Sequence, residues 1–153
     1  PMNLNLEKLN KLCKDLDDRY DVNSGGCCYV AYLLSQHLEK LGINYKVVGY
    51  SDDRVPHKCT VRNIKGRKKD QFPVGNRTCS HYAILVNGVV INNDDYTFRS
   101  FKAKLNTSDL EFILDNGWWN EAYNTKYNYR VSKRISSFFK PYEEEKTKEN
   151  HSG

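Results

Sequence analysis

The stretch Gly25-Gly26-Cys27-Cys28-Tyr29-Val30-Ala31 constrains this chain most, because a glycine turn there runs directly into an apolar helical repeat. Val30, Ala31, Leu34, Leu38 and Leu41 recur at three- and four-residue steps, while Gln36, Glu39 and Lys40 fall on another face and Gly42 ends the run. So apolar a helix must be buried, and the remaining elements must pack around it. Its first turn carries a cysteine, with Ser24 placed to cap it. Unpaired N–H groups and the positive end of the helix dipole stabilise a thiolate there, against an ordinary thiol pKa near ~8.5. The same groups serve an oxyanion when a carbonyl is attacked. The stretch therefore predicts a thiol nucleophile at the start of a buried central helix.

The flanks fall into recognisable elements. Leu6, Leu9, Leu12, Cys13 and Leu16 form the stripe of a first amphipathic helix, broken by a turn at Asp17-Asp18-Arg19-Tyr20-Asp21, with Cys13 as inert core. Residues 43–50 alternate as a strand. Residues 51–80, punctuated by Pro56, Gly66, Pro73 and Gly75, read as a long excursion over the active face with a short strand at 60–64.

Asn87-Gly88 between two β-branched runs then signals a hairpin with a type I′ turn. A two-residue loop sets 86 opposite 89, 83 opposite 92 and 81 opposite 94, so His81, Ala83, Leu85, Val90, Asn92 and Asp94 share one sheet face. Opposed Cβ atoms lie only ~4.5–5.5 Å apart. Asp94 is thereby expected to hold one imidazole nitrogen of His81, with Asn92 as the diagonal substitute, while Asn93 and Asp95 point away.

Further on, Ser108 and Glu111 suggest a capping box opening a helix through Leu114 and closing near Gly117, with Trp118 and Trp119 covering the core's edge. Tyr123, Tyr127, Val131, Ile135, Phe138 and Phe139 predict a C-terminal helix ending at Pro141, and residues 143–153 a charged flexible tail. His37, at the edge of the central helix's buried face, reads as a packed core histidine.

A cysteine at a helix start, a strand, a histidine opening a hairpin and an acid across from it resemble the papain-like superfamily, most closely its transglutaminase-like cysteine protease branch. Gly26-Cys27 is followed by Ala31 four residues on, by Gly42-Ile43 about fifteen on, and by Val47-Val48-Gly49-Tyr50, over a similarity spanning about residues 24–95. The resemblance implies an α+β fold over residues 1–142, with a central helix packed on an antiparallel sheet and further helices at both ends. It implies Cys27 as nucleophile, His81 as base and Asp94 as the group orienting the imidazole, with Asn92, Cys28 and Asn23 in supporting or alternative roles and Asn23 a candidate oxyanion donor. The activity it implies is a thiol hydrolase (peptidase, isopeptidase or amidase), with acyl transfer or deamidation on the same triad as alternatives. A protein or peptide amide is then the substrate, and no cofactor is called for.

Composition narrows the other classes. Of 153 residues 39% are hydrophobic and 28% charged, and no run approaches the ~20 apolar residues of a membrane span. The five cysteines are odd in number and scattered, which predicts reduced thiols and a cytoplasmic setting. His57-x-Cys59 and Cys79-x-His81 pair possible zinc ligands, but without the usual two-residue gap between cysteines, so no metal is expected. The net charge of +5 gathers at Arg62, Lys65, Arg67, Lys68 and Lys69, and again at Lys126, Arg130, Lys133 and Arg134. The first run would suit an acidic partner, and nucleic acid is disfavoured. A catalytically inactive module binding an acidic protein or nucleic acid is the non-enzyme alternative.

Overall fold

The computed structural model describes residues 3–24, 26–50, 81–94, 99–100, 105–116 and 127–152. Along them run α1 (Leu6–Tyr20), α2 (Cys27–Lys40), β1 (Lys46–Tyr50), β2 (His81–Val86), β3 (Val89–Ile91), β4 (Arg99–Ser100), α3 (Thr107–Asn116) and α4 (Asn128–Ser152). The strands form one antiparallel sheet in the order β3-β2-β1-β4. The apolar helix α2 packs on β2, α3 and α4, which makes the architecture α+β. The expected strand at 60–64, the excursion over 51–80, the basic run from Arg62 to Lys69, His57, Cys59, Cys79, Asp95, Trp118, Trp119, Tyr123 and Lys126 lie outside the described residues. Among the described residues no helix is long and apolar enough to cross a membrane.

α2 is central because nine of its residues are buried, among them Cys27, Cys28, Val30, Ala31, Leu34 and Leu38. Each large apolar side chain so buried contributes about 1.5–3 kcal/mol. The helix ends in a Schellman motif: Ile43 N–H donates to Leu38 O at 3.0 Å and Gly42 N–H to Glu39 O at 3.1 Å, with Gly42 at φ 69. His37 packs as expected of a core histidine, stacked 4.7 Å from the Phe139 ring and bonded through Nδ1 to Glu143 Oε1 at 2.5 Å.

Four local expectations need correction. α1 does not break at Asp17 but continues to Tyr20, held by i,i+4 pairs of Lys14 with Asp18 and Arg19 with Asp15, and stops where Asp21 turns left-handed at φ 54. Ser24 does not cap α2; its hydroxyl donates to Asp21 Oδ1 at 2.8 Å, and Gly26 takes the N-cap position without a side-chain bond. The capping box of α3 lies two residues earlier than expected. Asp109 N–H donates to Asn106 Oδ1 at 3.0 Å, and Asn106 N–H to Asp109 Oδ2 at 2.8 Å. Asn106→Ala should therefore cost about 1 kcal/mol, read as a shift of the urea midpoint, whereas Ser108→Ala should cost almost nothing.

The fourth correction concerns the C-terminus. α4 does not end at Pro141 but runs through it to Ser152, so residues 143–152 are helical. An interior proline costs roughly 3 kcal/mol in a free helix. Contacts beyond it offset that cost here: the Tyr142 hydroxyl accepts from Asn5 N–H at 3.1 Å, Glu143 binds His37, and Lys146 Nζ donates to Lys40 O at 2.8 Å.

Candidate active site around Cys27 and His81

The Asn87-Gly88 turn has both residues at positive φ, 48 and 77, as a type I′ turn requires. It sets the pairs Val86↔Val89, Leu85↔Val90 and Ile84↔Ile91, the register expected from the loop length. The ladder stops there. Asn92 and Asp94 take left-handed backbone, at φ 65 and φ 51, and leave the strand before residue 94 can stand opposite residue 81. The expected ladder position of residue 94 opposite residue 81 is therefore corrected; Asp94 is exposed, and its charge bears on His81.

The partner of the ring is the Asn92 backbone. His81 is 1% exposed, and its Nε2 lies 2.6 Å from the carbonyl oxygen of Asn92. A carbonyl only accepts, so Nε2 carries the proton and Nδ1 keeps its lone pair in the neutral ring. Burial lowers the pKa of His81, opposed by that hydrogen bond and by the charges of Asp94 and Asp17. The ring is accordingly neutral at pH 7, with Nδ1 as its basic nitrogen.

Cys27 opens α2 and reaches the same place. The backbone N–H of Tyr82, the residue after His81, bears on its sulfur and lowers its pKa, as do those of Cys28 and Cys27 itself. Packing of α2 on β2 thus sets the thiol beside the His81–Tyr82 peptide. The donors expected at the helix start are present, yet the thiolate expectation is corrected. Cys27 is 1% exposed and its thiol is pushed up to about 11, first by burial and last by the Asp94 charge, with the N–H groups opposing. Taking a charge out of water costs several kcal/mol, more than a few N–H donors return. At rest both the thiol and the imidazole are neutral.

Cys28 is fully buried in the core, and so is Cys13, whose thiol burial pushes up to about 12. Asn23, the candidate oxyanion donor, is committed elsewhere: its Nδ2 donates to Asn92 Oδ1 at 3.1 Å and its Oδ1 accepts from Asn92 Nδ2 at 3.0 Å. Sequence reasoning missed Asn10 of α1, whose Oδ1 accepts from Asn92 N–H at 2.9 Å and whose Nδ2 donates to Val90 O at 3.2 Å. A signal was there, since Asn10 and Asp17 are polar residues seven apart on the flank of the apolar stripe of α1. These asparagines line a pocket of about 320 Å³ with Lys14, Asp17 and Asp94; Cys27 is not part of its wall. Among the described residues no group of His, Cys, Asp and Glu could hold a metal ion. Compared with known proteins, the chain matches no family model, no curated protein and no solved structure.

Proposed function

We propose that the protein is a cysteine-dependent acyl-transfer enzyme, a thiol hydrolase of protein or peptide amides on a papain-like core. The observation that carries this is the meeting of the Cys27 sulfur with the Tyr82 N–H, one residue along from an imidazole whose Nε2 is held by the Asn92 carbonyl. Nδ1, the basic nitrogen of that tautomer, is the one that acts. Because thiol and ring are both neutral at rest, the proton moves as the bond forms. Cys27 Sγ attacks the amide carbon while His81 Nδ1 takes the thiol proton, then passes it to the leaving nitrogen as the C–N bond breaks. Water, deprotonated by the same nitrogen, releases the acid and restores the thiol. The backbone N–H groups of Cys28 and Tyr82 that bear on the sulfur turn to the oxyanion as it forms, and Asp94 supports the transient imidazolium through its charge.

A burst of p-nitrophenolate from p-nitrophenyl acetate, one equivalent per chain, with an acetyl group on the peptide containing Cys27, is the expected result. An undiminished burst in Cys27→Ala would overturn the proposal. New N-termini or deamidated glutamines in a proteome treated with the enzyme, absent with Cys27→Ala, separate hydrolysis from deamidation. Burial of the thiol favours a second reading, a catalytically silent module for an acidic protein. A Cys27 that stays unacylated from pH 6 to 10 selects it.

A further inference from the structure

Asn92 has four backbone and side-chain polar atoms, and each is engaged. Its N–H donates to Asn10 Oδ1, its carbonyl accepts from His81 Nε2, and its side-chain amide is paired at both ends with that of Asn23. Asn10 also holds the strand end through Val90 O, and Asn23 is tied by its own N–H to Asp17 Oδ1 at 2.9 Å. Three separate parts of the chain, α1, the turn before α2 and the start of β2, thus converge on one residue at the end of β3. Asn92 sits in left-handed backbone at φ 65, a conformation asparagine tolerates better than most residues but that still needs support. Relaxation of its φ and ψ would swing its carbonyl away from the ring.

We infer that Asn10 and Asn23 are positioning residues for the His81 imidazole, acting through the backbone conformation of Asn92. The task a triad gives to one acid side chain is carried here by a backbone carbonyl whose direction two amides hold. Their effect is to keep the proton on Nε2 and the lone pair on Nδ1, toward the thiol. Asp17 and Asp94 favour the charged ring through their own negative charges. The inference rests on the thiol–imidazole reading above, and its test keeps the two apart.

The tautomer of His81 is read directly from long-range nitrogen–proton NMR correlations at pH 8, and acylation of Cys27 by p-nitrophenyl acetate is followed alongside. The expected result is a wild-type ring protonated at Nε2, a mixture of tautomers in Asn10→Ala and Asn23→Ala, and a fall in acylation rate of about tenfold or more in each, from lost orientation. Asn10→Asp keeps an acceptor for the Asn92 N–H and should restore the wild-type tautomer. Should an alanine variant not fold, Asn92→Gly serves: glycine takes φ 65 without strain and keeps the carbonyl, but loses the Asn23 arm. It too should give mixed tautomers. A wild-type tautomer and rate in the asparagine variants, with His81→Ala inactive, overturns this inference alone. Acylation unaffected by His81→Ala overturns the reading beneath it.

Discussion

His81→Ala should lower the acylation of Cys27 at pH 7 by about 10²–10⁴-fold, the range that a positioned general base supplies. The shape of the pH profile is the sharper result. In the wild-type protein the rate should rise as the ring loses its proton below pH 6.5, stay level through neutrality, and rise again only as the thiol ionises near 11. The direction of each shift sets this order, since burial lowers the base and raises the thiol, and so widens the window in which both are neutral. In His81→Ala only the upper limb should remain. Stopped-flow release of p-nitrophenolate between pH 5 and 11 measures both curves. A single wild-type limb centred near pH 8.5, as for a free thiol, would show that the ring takes no part.

The second large effect concerns stability. Phe139→Ala should destabilise the protein by about 3–5 kcal/mol, the usual cost of emptying a buried aromatic site. Phe139 is fully buried, packs edge-on against Phe138 with ring centroids 5.0 Å apart, and lies flat on His37. Its removal leaves a cavity between α2 and α4 and frees the His37 ring that binds Glu143 beyond Pro141. Urea unfolding with an unchanged slope gives the number. Hydrogen exchange in residues 143–152 should rise in the same variant. A loss below 1 kcal/mol would mean that α4 is held to α2 by its polar contacts and not by this ring.

Much of the fold was legible because it rests on short-range rules. The 3.6-residue period of α2, the glycine that closes it and the Asn-Gly turn act within a few residues of chain, and each appears at its expected place. The hairpin register followed from loop length alone through Ile84↔Ile91. The end of the ladder did not, because Asn92-Asn93-Asp94 suits a left-handed turn but is equally compatible with a strand that continues to residue 94. That turn depends on Asn10, 82 residues earlier in the chain, supplying an acceptor for the Asn92 N–H. For the same reason the continuation of α4 past Pro141 was hidden: its supports are Asn5, His37 and Lys40, all on other elements.

The sequence by itself determined that a cysteine opens the buried helix, that a histidine opens the hairpin strand, and that the two elements belong to one α+β core. Tertiary structure alone decided that the thiol and the ring rest neutral, that a carbonyl holds the histidine where a carboxylate was expected, and that Asn10 takes part. Periodicity and turn chemistry are properties of neighbouring residues, and a sequence displays them. Desolvation and hydrogen-bond partnership are set by whatever distant residue packs alongside, and only the folded chain brings that residue near.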